Sequence, residues 1–212
     1  MIPKVIYMCH KTLKNIKVYS GNWKKLNPDY DIKLYDDTMC REFLLKEYSQ
    51  LHLDIFDFLE DGPIKSDFWR VCIINKYGGY YVDSDIEPIS PLKKYVDDKD
   101  DFVTCISMNF KPHYIHFQLN PHLIFSDKNS IILQNCIDRY IQKYSNKDKY
   151  DYWSWSVCNL LIIDGITRKF NRIKINDIQF NFLHEKKNKT CTFKNRLVLR
   201  NSYSNYKDHN FV

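Results

Sequence analysis

Two aspartates, Asp83 and Asp85, stand one residue apart directly after the apolar run "YYV" at 80–82. Just past the end of a strand, carboxylates with this spacing can converge on one hard divalent cation, with phosphate oxygens and water completing the coordination shell. The pattern therefore predicts a Mn²⁺ or Mg²⁺ site that also holds a diphosphate. For a D-x-D pattern taken alone, a solvated acidic turn is the alternative.

A second pair of functional groups, Asp67 and Arg70, lies three residues apart within the stretch "IKSDFWRVCIINKY". At this spacing in a helix the two Cβ atoms are about 5–6 Å apart on one face. Arginine presents a planar fork of donors that suits hydroxyls and carboxylates. The pair can therefore hold a polar ligand, and an ordinary ion pair within the helix is the alternative.

The elements around these residues can aim all four at one cleft. Asp61 is placed to cap a helix, and Pro63 fits its first turn, where a missing N–H group costs nothing. Gly78 stands where a left-handed residue ends a helix, and Gly79 permits close approach of two backbone segments. A helix followed at once by the short strand 80–82 would bring the two charged pairs together.

The rest of the chain alternates between apolar β-rich runs and segments of helical period, which predicts an α/β fold with a largely parallel sheet. At 212 residues and without a linker, it is expected to form one domain, 1–212. Strands are predicted at 4–8, 31–37 and 101–108, helices at 18–25, 39–48, 49–59, 130–144 and 154–166, and late strands or loops in "KIND" and at 196–203.

Composition narrows the classes of function. Hydrophobic residues make up 44% of the chain and the formal charge is +6, but the lysines are scattered, so a nucleic-acid partner is not expected. The seven cysteines contain no C-x-x-C pair, which favours reduced thiols in a cytosol-like compartment. The N-terminus is too polar for a signal peptide and no apolar run reaches the length of a membrane span, so a soluble, cytosolic or cytosol-facing protein is expected.

Three stretches together resemble one family. They are "IPKVIYMCHKT", "NWKKLNPDYDIKLYDD" and "IKSDFWRVCIINKYGGYYVDSDI". The last is similar to the sugar-binding region of DXD glycosyltransferases, with Asp-x-x-Arg on a helix, then Tyr-Gly-Gly, an aromatic strand and D-x-D. The chain resembles glycosyltransferase family 32, which includes initiating α-1,6-mannosyltransferases and relatives of glucosylating toxins. The resemblance covers about residues 2–92.

This resemblance implies a GT-A fold in which about 1–92 bind metal and nucleotide sugar and about 93–212 complete the acceptor side. It implies retaining hexose transfer from a UDP- or GDP-sugar to a glycan, glycolipid or glycoprotein acceptor, with Mn²⁺ or Mg²⁺ as cofactor. By position, Asp85 would bind the metal, Asp83 the ribose and the metal shell, and Asp67 and Arg70 the hydroxyls of the donor sugar.

Two regions depart from the family pattern. Tyr7 and His10 stand near the end of the first strand, where members often have His and Trp, and His10 could stack on the nucleobase. Members also have a late His before Ser-Trp, near a third metal contact. Here "LRNSYSNYKDHNF" offers Asn201, Asp208 or His209 as candidates.

Other interpretations remain open. A degenerate, non-catalytic module that binds a sugar nucleotide or a glycan would have the same motif, and phosphatases of the haloacid-dehalogenase type also place D-x-D after a strand. Trp153 and Trp155 could stack on an acceptor sugar or pack in the core. His113, His116 and His122 could suggest zinc, but no fourth ligand has suitable spacing.

Overall fold

The computed structural model describes residues 2–107, 119–166, 169–186, 188 and 190–201, without the side chains of 15–19. The strands are β1 (Val5–Cys9), β2 (Asp31–Tyr35), β3 (Gly79–Val82), β4 (Ile86–Pro88), β5 (Phe102–Ile106), β6 (Leu119–Ser126), β7 (Arg172–Ile175), β8 (Ile178–Glu185), β9 (Thr190–Phe193) and β10 (Arg196–Asn201). The helices are α1 (Leu13–Leu26), α2 (Asp37–Glu47), α3 (Gln50–Phe58), α4 (Gly62–Tyr77), α5 (Ile131–Ser145), α6 (Tyr152–Trp155) and α7 (Val157–Leu160).

Within this described part of the chain, the strands form one sheet in the order β2-β1-β3-β6-β5-β8-β9-β10-β4, with β7 paired to β8. The predicted α/β class is confirmed, but the sheet is mixed and not largely parallel, as the following pairings show. Pairing is parallel at β2-β1-β3 and at β5-β8. The remaining pairings are antiparallel. Among them, β7 with β8, β8 with β9 and β9 with β10 are joined by too few residues to accommodate a crossover helix.

Two hydrophobic clusters pack on the sheet. One contains buried residues of α2 to α5 and α7, and the other joins Trp23 of α1 to residues of β4, β9 and β10. The indole N–H of Trp23 donates to the Ile86 carbonyl at 2.9 Å, so α1 is fixed to the strand that follows the two aspartates. Among the described helices, none is long and apolar enough to cross a membrane.

Most predicted elements are present, with shifted ends. The helix expected at 18–25 runs from Leu13 to Leu26, and that expected at 154–166 is reduced to α6 and α7. The late strands predicted in "KIND" and at 196–203 correspond to β7 and β10. Strands β6, β8 and β9 were not predicted. Strand β6 contains Pro121, which lowers its strand propensity, and its antiparallel neighbours β3 and β5 override that preference.

Helix α4 is the central element of the site, and it is buried on nearly all sides. Pro63 lies in its first turn as predicted. Asp61 is the N-cap residue, but its side chain caps no N–H group and instead accepts a 2.6 Å hydrogen bond from the Tyr150 hydroxyl. The capping role predicted for the Asp61 carboxylate is therefore wrong, because a tertiary partner competes for it.

The two glycines turn the chain from α4 into β3. Gly78 has φ +68° and Gly79 has φ +113°, a region that side chains disfavour. A Cβ atom on Gly79 would lie 2.8 Å from the Val5 carbonyl oxygen and 3.0 Å from the Tyr7 ring. The predicted close approach is thus that of β3 to β1, which sets the position of the residues after β3.

Candidate active site

Asp83 directly follows β3, so the predicted placement of D-x-D at a strand end is confirmed. Its N–H donates to the His122 carbonyl of β6 at 2.8 Å, and its own carbonyl accepts from the Ile86 N–H at 3.1 Å. These bonds close a tight turn through Ser84 and Asp85. The turn lies at the sheet edge where the parallel strands β1, β2 and β3 all end, which is where open α/β sheets bind ligands.

Arg70 joins the two charged pairs. Its Nη2 lies 3.0 Å from Asp67 Oδ1 and 3.0 Å from Asp83 Oδ1. Its Nη1 donates to the Pro121 carbonyl at 2.6 Å, and its guanidinium lies 4.5 Å from the centre of the Tyr81 ring. Because Arg70 is only 4% exposed, these contacts hold its position rigidly.

Asp67 is held from its other side by α7. Its Oδ2 accepts hydrogen bonds from the Val157 N–H at 3.0 Å and from the Ser156 hydroxyl at 3.3 Å. Asp67 is 7% exposed, so the carboxylate is almost enclosed between Arg70 and the start of α7. Residues far apart in the chain therefore fix one acidic group beside the D-x-D turn.

A hydroxyl layer completes the arrangement. The Tyr81 hydroxyl donates to Asp83 Oδ1 at 2.7 Å and lies 2.7 Å from the Ser66 hydroxyl, which accepts from Arg70 Nη2 at 3.1 Å. The sequence interpretation missed Ser66, Tyr81 and Ser156. The first two lie inside the quoted motif, next to charged positions, whereas nothing in the sequence connects Ser156 to Asp67.

Burial changes the acidity of the site. Burial raises the pKa of Asp67 to about 6, and the neighbouring Arg70 opposes that rise. Burial, and after it the negative charge of Asp83, raises the pKa of Asp85 to about 6. The charge of Asp83 thus disfavours ionisation of Asp85, and a divalent cation at the turn would relieve that repulsion.

The other predicted donor and metal contacts differ in placement. Tyr7 is 2% exposed and packs against Tyr35, with ring centres 6.3 Å apart. His10 is partly exposed at the end of β1, where its Nδ1 accepts the Thr12 N–H at 3.2 Å. Asn201 pairs with Ile86 across β10 and β4, which puts it beside the D-x-D turn.

His209 and Asp208 lie outside the described residues, as do His113 and His116. Trp155 is fully buried and donates to the Lys149 carbonyl at 3.0 Å, so it packs in the core. Trp153 is 66% exposed and remains available to a ligand.

Comparison with known proteins identifies the region that contains the four charged residues. Residues 14–103 match the family model described as "Glycosyltransferase sugar-binding region containing DXD motif". Mannosyl phosphorylinositol ceramide synthase SUR1 of Saccharomyces cerevisiae is 34% identical over 92 residues, which cover 40% of this chain and 23% of that protein. Inositol phosphoceramide mannosyltransferase 3 of Schizosaccharomyces pombe is 33% identical over 100 residues, 44% of this chain and 28% of that protein.

The aligned region spans about a quarter of the length of these curated relatives. Among solved structures, the PaToxG glycosyltransferase has a similar fold, with a TM-score of 0.52 and 19% identity over 76% of this chain and 65% of that chain. The predicted GT-A fold is confirmed. Residues 14–103 thus match the DXD-containing sugar-binding region of glycosyltransferases, which confirms the resemblance expected from the sequence.

Proposed function

We propose that this protein is a metal-dependent, retaining glycosyltransferase that moves a hexose from a nucleotide-diphosphate sugar to a hydroxyl of a glycan, lipid or protein. The observation that supports this most directly is the single buried Arg70, which bridges Asp67 on one side and Asp83 on the other. Such a bridge sets two acidic groups at a fixed separation beside the D-x-D turn. A binding site for a polyhydroxylated sugar next to a metal–diphosphate site needs this arrangement.

Each charged residue then has a distinct role. Asp85 and one oxygen of Asp83 would hold Mn²⁺ or Mg²⁺, with Asn201 and His209 as candidates for a further ligand. Asp83 would also contact the ribose. The cation would neutralise the charge that develops on the departing diphosphate.

Asp67 and Arg70 would bind hydroxyls of the donor sugar. Asp67 Oδ2 already accepts two hydrogen bonds, whereas Oδ1, which contacts Arg70 Nη2, keeps a further lone pair for a sugar hydroxyl. His10, at the open end of β1, would stack on the nucleobase, and Tyr7 would support that end of the site from beneath.

The relatives suggest which substrates to try first. Two of them are named for mannosyl transfer to inositol phosphoceramide, a glycolipid class of acceptor. We infer that a mannosyl donor and a lipid-linked acceptor are the leading candidates. The exposed Trp153, three residues before Ser156, which with Val157 holds Asp67, would offer an aromatic face to the acceptor.

The test is nucleotide release from a panel of donors. The purified protein is incubated with UDP- and GDP-sugars, GDP-mannose included, with Mn²⁺ or with EDTA, and the released nucleoside diphosphate is measured. Metal-dependent release from one donor supports the proposal and identifies the sugar. Donor binding without release or transfer, with a panel of lipid and glycan acceptors present, would favour a non-catalytic module. If the protein neither binds nor cleaves any donor, the proposal is refuted. Release of phosphate from simple phosphoesters would favour a phosphatase.

A further inference from the structure

A second group of potential ligands lies at the hydrophobic cluster that contains Cys105 and Cys191. Cys105 of β5, His122 of β6 and Cys191 of β9 are all buried, and their ligand atoms lie within 4.8 Å of one another. The two sulfur atoms are 3.7 Å apart, and Cys191 Sγ lies 3.2 Å from His122 Nε2. None of the seven cysteines, all of which lie in the described part of the chain, is joined in a disulfide.

The sheet register brings these three side chains to one face. Cys105 pairs with Asn120, and β6 is irregular between Asn120 and Ile124, where the chain brings His122 Nε2 within 3.2 Å of Cys191 Sγ. Cys191 pairs with Glu185 of β8, and Cys105 with Leu183, two residues before Glu185. The three ligand residues lie on β5, β6 and β9, at separate places in the sequence. No short sequence motif therefore predicts the cluster.

The spacing matches a tetrahedral metal site. With Zn–S bonds of about 2.3 Å and Zn–N bonds of about 2.0–2.1 Å, two sulfurs in a tetrahedral shell lie about 3.8 Å apart and a sulfur and a nitrogen about 3.5 Å apart. The observed 3.7 Å agrees with the first value, and the observed 3.2 Å is shorter than the second by only a few tenths of an ångström. Small side-chain rotations would bring all three atoms into a zinc shell.

The polar groups around the cluster suit a bound cation. His122 is 6% exposed, and its Nδ1 is buried without a hydrogen-bond partner among the described residues. The carboxylate of Glu185 faces the same side and accepts hydrogen bonds from Ser107 and Asn120. An acidic group beside two thiols and an imidazole favours a positive ion, and this set of sulfur and nitrogen ligands favours Zn²⁺ over Mg²⁺ or Mn²⁺.

We propose that Cys105, His122 and Cys191 bind one Zn²⁺ ion at a buried site, with a water molecule as the fourth ligand, and that this site is distinct from the metal site proposed at the D-x-D turn. On binding, the two thiols release their protons to solvent and coordinate as thiolates. The ion would tie β6 to β5 and β9. Because β6 also supplies the Pro121 carbonyl to Arg70 and the His122 carbonyl to Asp83, this zinc would brace the candidate active site from behind.

The test is a cobalt titration of the chelator-treated, reduced protein, because Co²⁺ substitutes for Zn²⁺ and reports its ligands by absorption. One equivalent of Co²⁺ should produce a thiolate-to-metal charge-transfer band and the visible bands of a tetrahedral ion. Zn²⁺ should abolish both, and excess Mg²⁺ should not. Protein purified without chelator should contain about one zinc per chain by elemental analysis.

Variants locate the ion. Cys105→Ser and Cys191→Ser should lose the charge-transfer band, whereas Cys136→Ser, a buried cysteine of α5 in the opposite cluster, should keep it. Asp85→Asn should also keep it, which separates this ion from the one proposed at the D-x-D turn. Zn²⁺ should raise the midpoint of thermal unfolding of the wild type and of Cys136→Ser, but not that of Cys191→Ser.

Three results would overturn the inference, and each can be obtained with the wild type alone. The first is a protein that takes up no Co²⁺ with thiolate absorption. The second is charge-transfer absorption that needs more than one equivalent and survives excess Zn²⁺. The third is an intact mass lacking two hydrogens, with Cys105 and Cys191 joined as a disulfide in protein purified under reducing conditions.

Discussion

Arg70 Nη2 lies 3.0 Å from Asp83 Oδ1, so a residue in the middle of a buried helix fixes the first carboxylate of the D-x-D turn. The same nitrogen lies 3.0 Å from Asp67 Oδ1. The Arg70 guanidinium thus fixes the distance between the carboxylates of Asp67, on α4, and Asp83, after β3. The site is preorganised around this guanidinium before any ligand arrives.

Asp85→Asn should reduce nucleotide release from the preferred donor by at least about 100-fold, because an amide is a poor ligand for a hard cation and leaves the diphosphate charge uncompensated. Metal-dependent binding of the nucleoside diphosphate, measured by calorimetry, should fall with it. The fold should persist, since removing a negative charge relieves the repulsion between Asp85 and Asp83.

The matched control is Asp177→Asn, an identical change at a side chain that is 97% exposed. It should leave release and binding unaltered. Full activity in Asp85→Asn would contradict the assignment of the D-x-D turn as the metal site.

Arg70→Lys should lower both stability and activity. Lysine has one compact ammonium group and cannot reach Asp67, Asp83 and the Pro121 carbonyl together, so a buried acid is left without its partner. The free energy of unfolding should drop by about 3 kcal/mol, as measured by urea denaturation. Nucleotide release should fall by at least about 100-fold at temperatures where the variant remains folded.

Arg41→Lys is the corresponding surface change, because the Arg41–Asp57 ion pair is exposed. It should alter the unfolding free energy by no more than about 0.5 kcal/mol. If Arg70→Lys and Arg41→Lys changed the free energy of unfolding equally, the buried Arg70 contacts would stabilise the fold no more than an exposed ion pair does.

Gly79→Ala should destabilise the protein strongly. The new Cβ would lie 2.8 Å from the Val5 carbonyl oxygen, a backbone atom that cannot move aside, and φ is +113°. The backbone conformation alone costs about 1–3 kcal/mol, and the clash adds to it. Gly21→Ala in α1 meets nothing within 4 Å and should instead stabilise by up to about 1 kcal/mol. A neutral effect of Gly79→Ala in urea denaturation would mean that β3 does not lie against β1 as described.

Asp67→Asn should change how stability depends on pH. The pKa of Asp67 is about 6 in the folded protein and 3.8 as its ordinary value, so between these pH values the folded protein keeps a proton that the unfolded chain loses. Because the pKa is raised in the folded protein, the contribution of Asp67 to the free energy of unfolding is largest below about pH 4. That contribution decreases as the pH rises to about 6. The wild type should therefore lose up to about 3 kcal/mol relative to Asp67→Asn across this window.

Urea denaturation at pH 4, 5, 6 and 7 measures this difference. The groups that act on Asp67 from the elements packed around it are Arg70, Asp83, Cys136, Tyr140, Tyr152, Ser156, Val157 and Cys158. Arg70 and the two hydrogen bonds from Ser156 and Val157 lower its pKa, and burial outweighs them. A difference that stays constant, or that grows in the opposite direction, would show that Asp67 is ionised throughout.

The sequence by itself determined the local unit from α4 through β3 to the D-x-D turn. Pro63, the two glycines and the charged positions of this unit act through backbone conformation and short-range spacing, so their effects are visible in the order of residues. The α/β class followed from the alternation of apolar runs and helical segments, but the parallel pairing expected for most of the sheet occurs only at β2-β1-β3 and β5-β8 among the described strands.

Only the tertiary structure decided what encloses the site. Ser156 and Val157, about ninety residues later in the chain, donate hydrogen bonds to Asp67. The Asp61 carboxylate accepts a hydrogen bond from Tyr150 and does not cap α4. The antiparallel strands β6, β8 and β9 were also missed, and pairing with neighbouring strands sets their places in the sheet. Contacts between residues so distant in sequence depend on the sheet register, which no local pattern specifies.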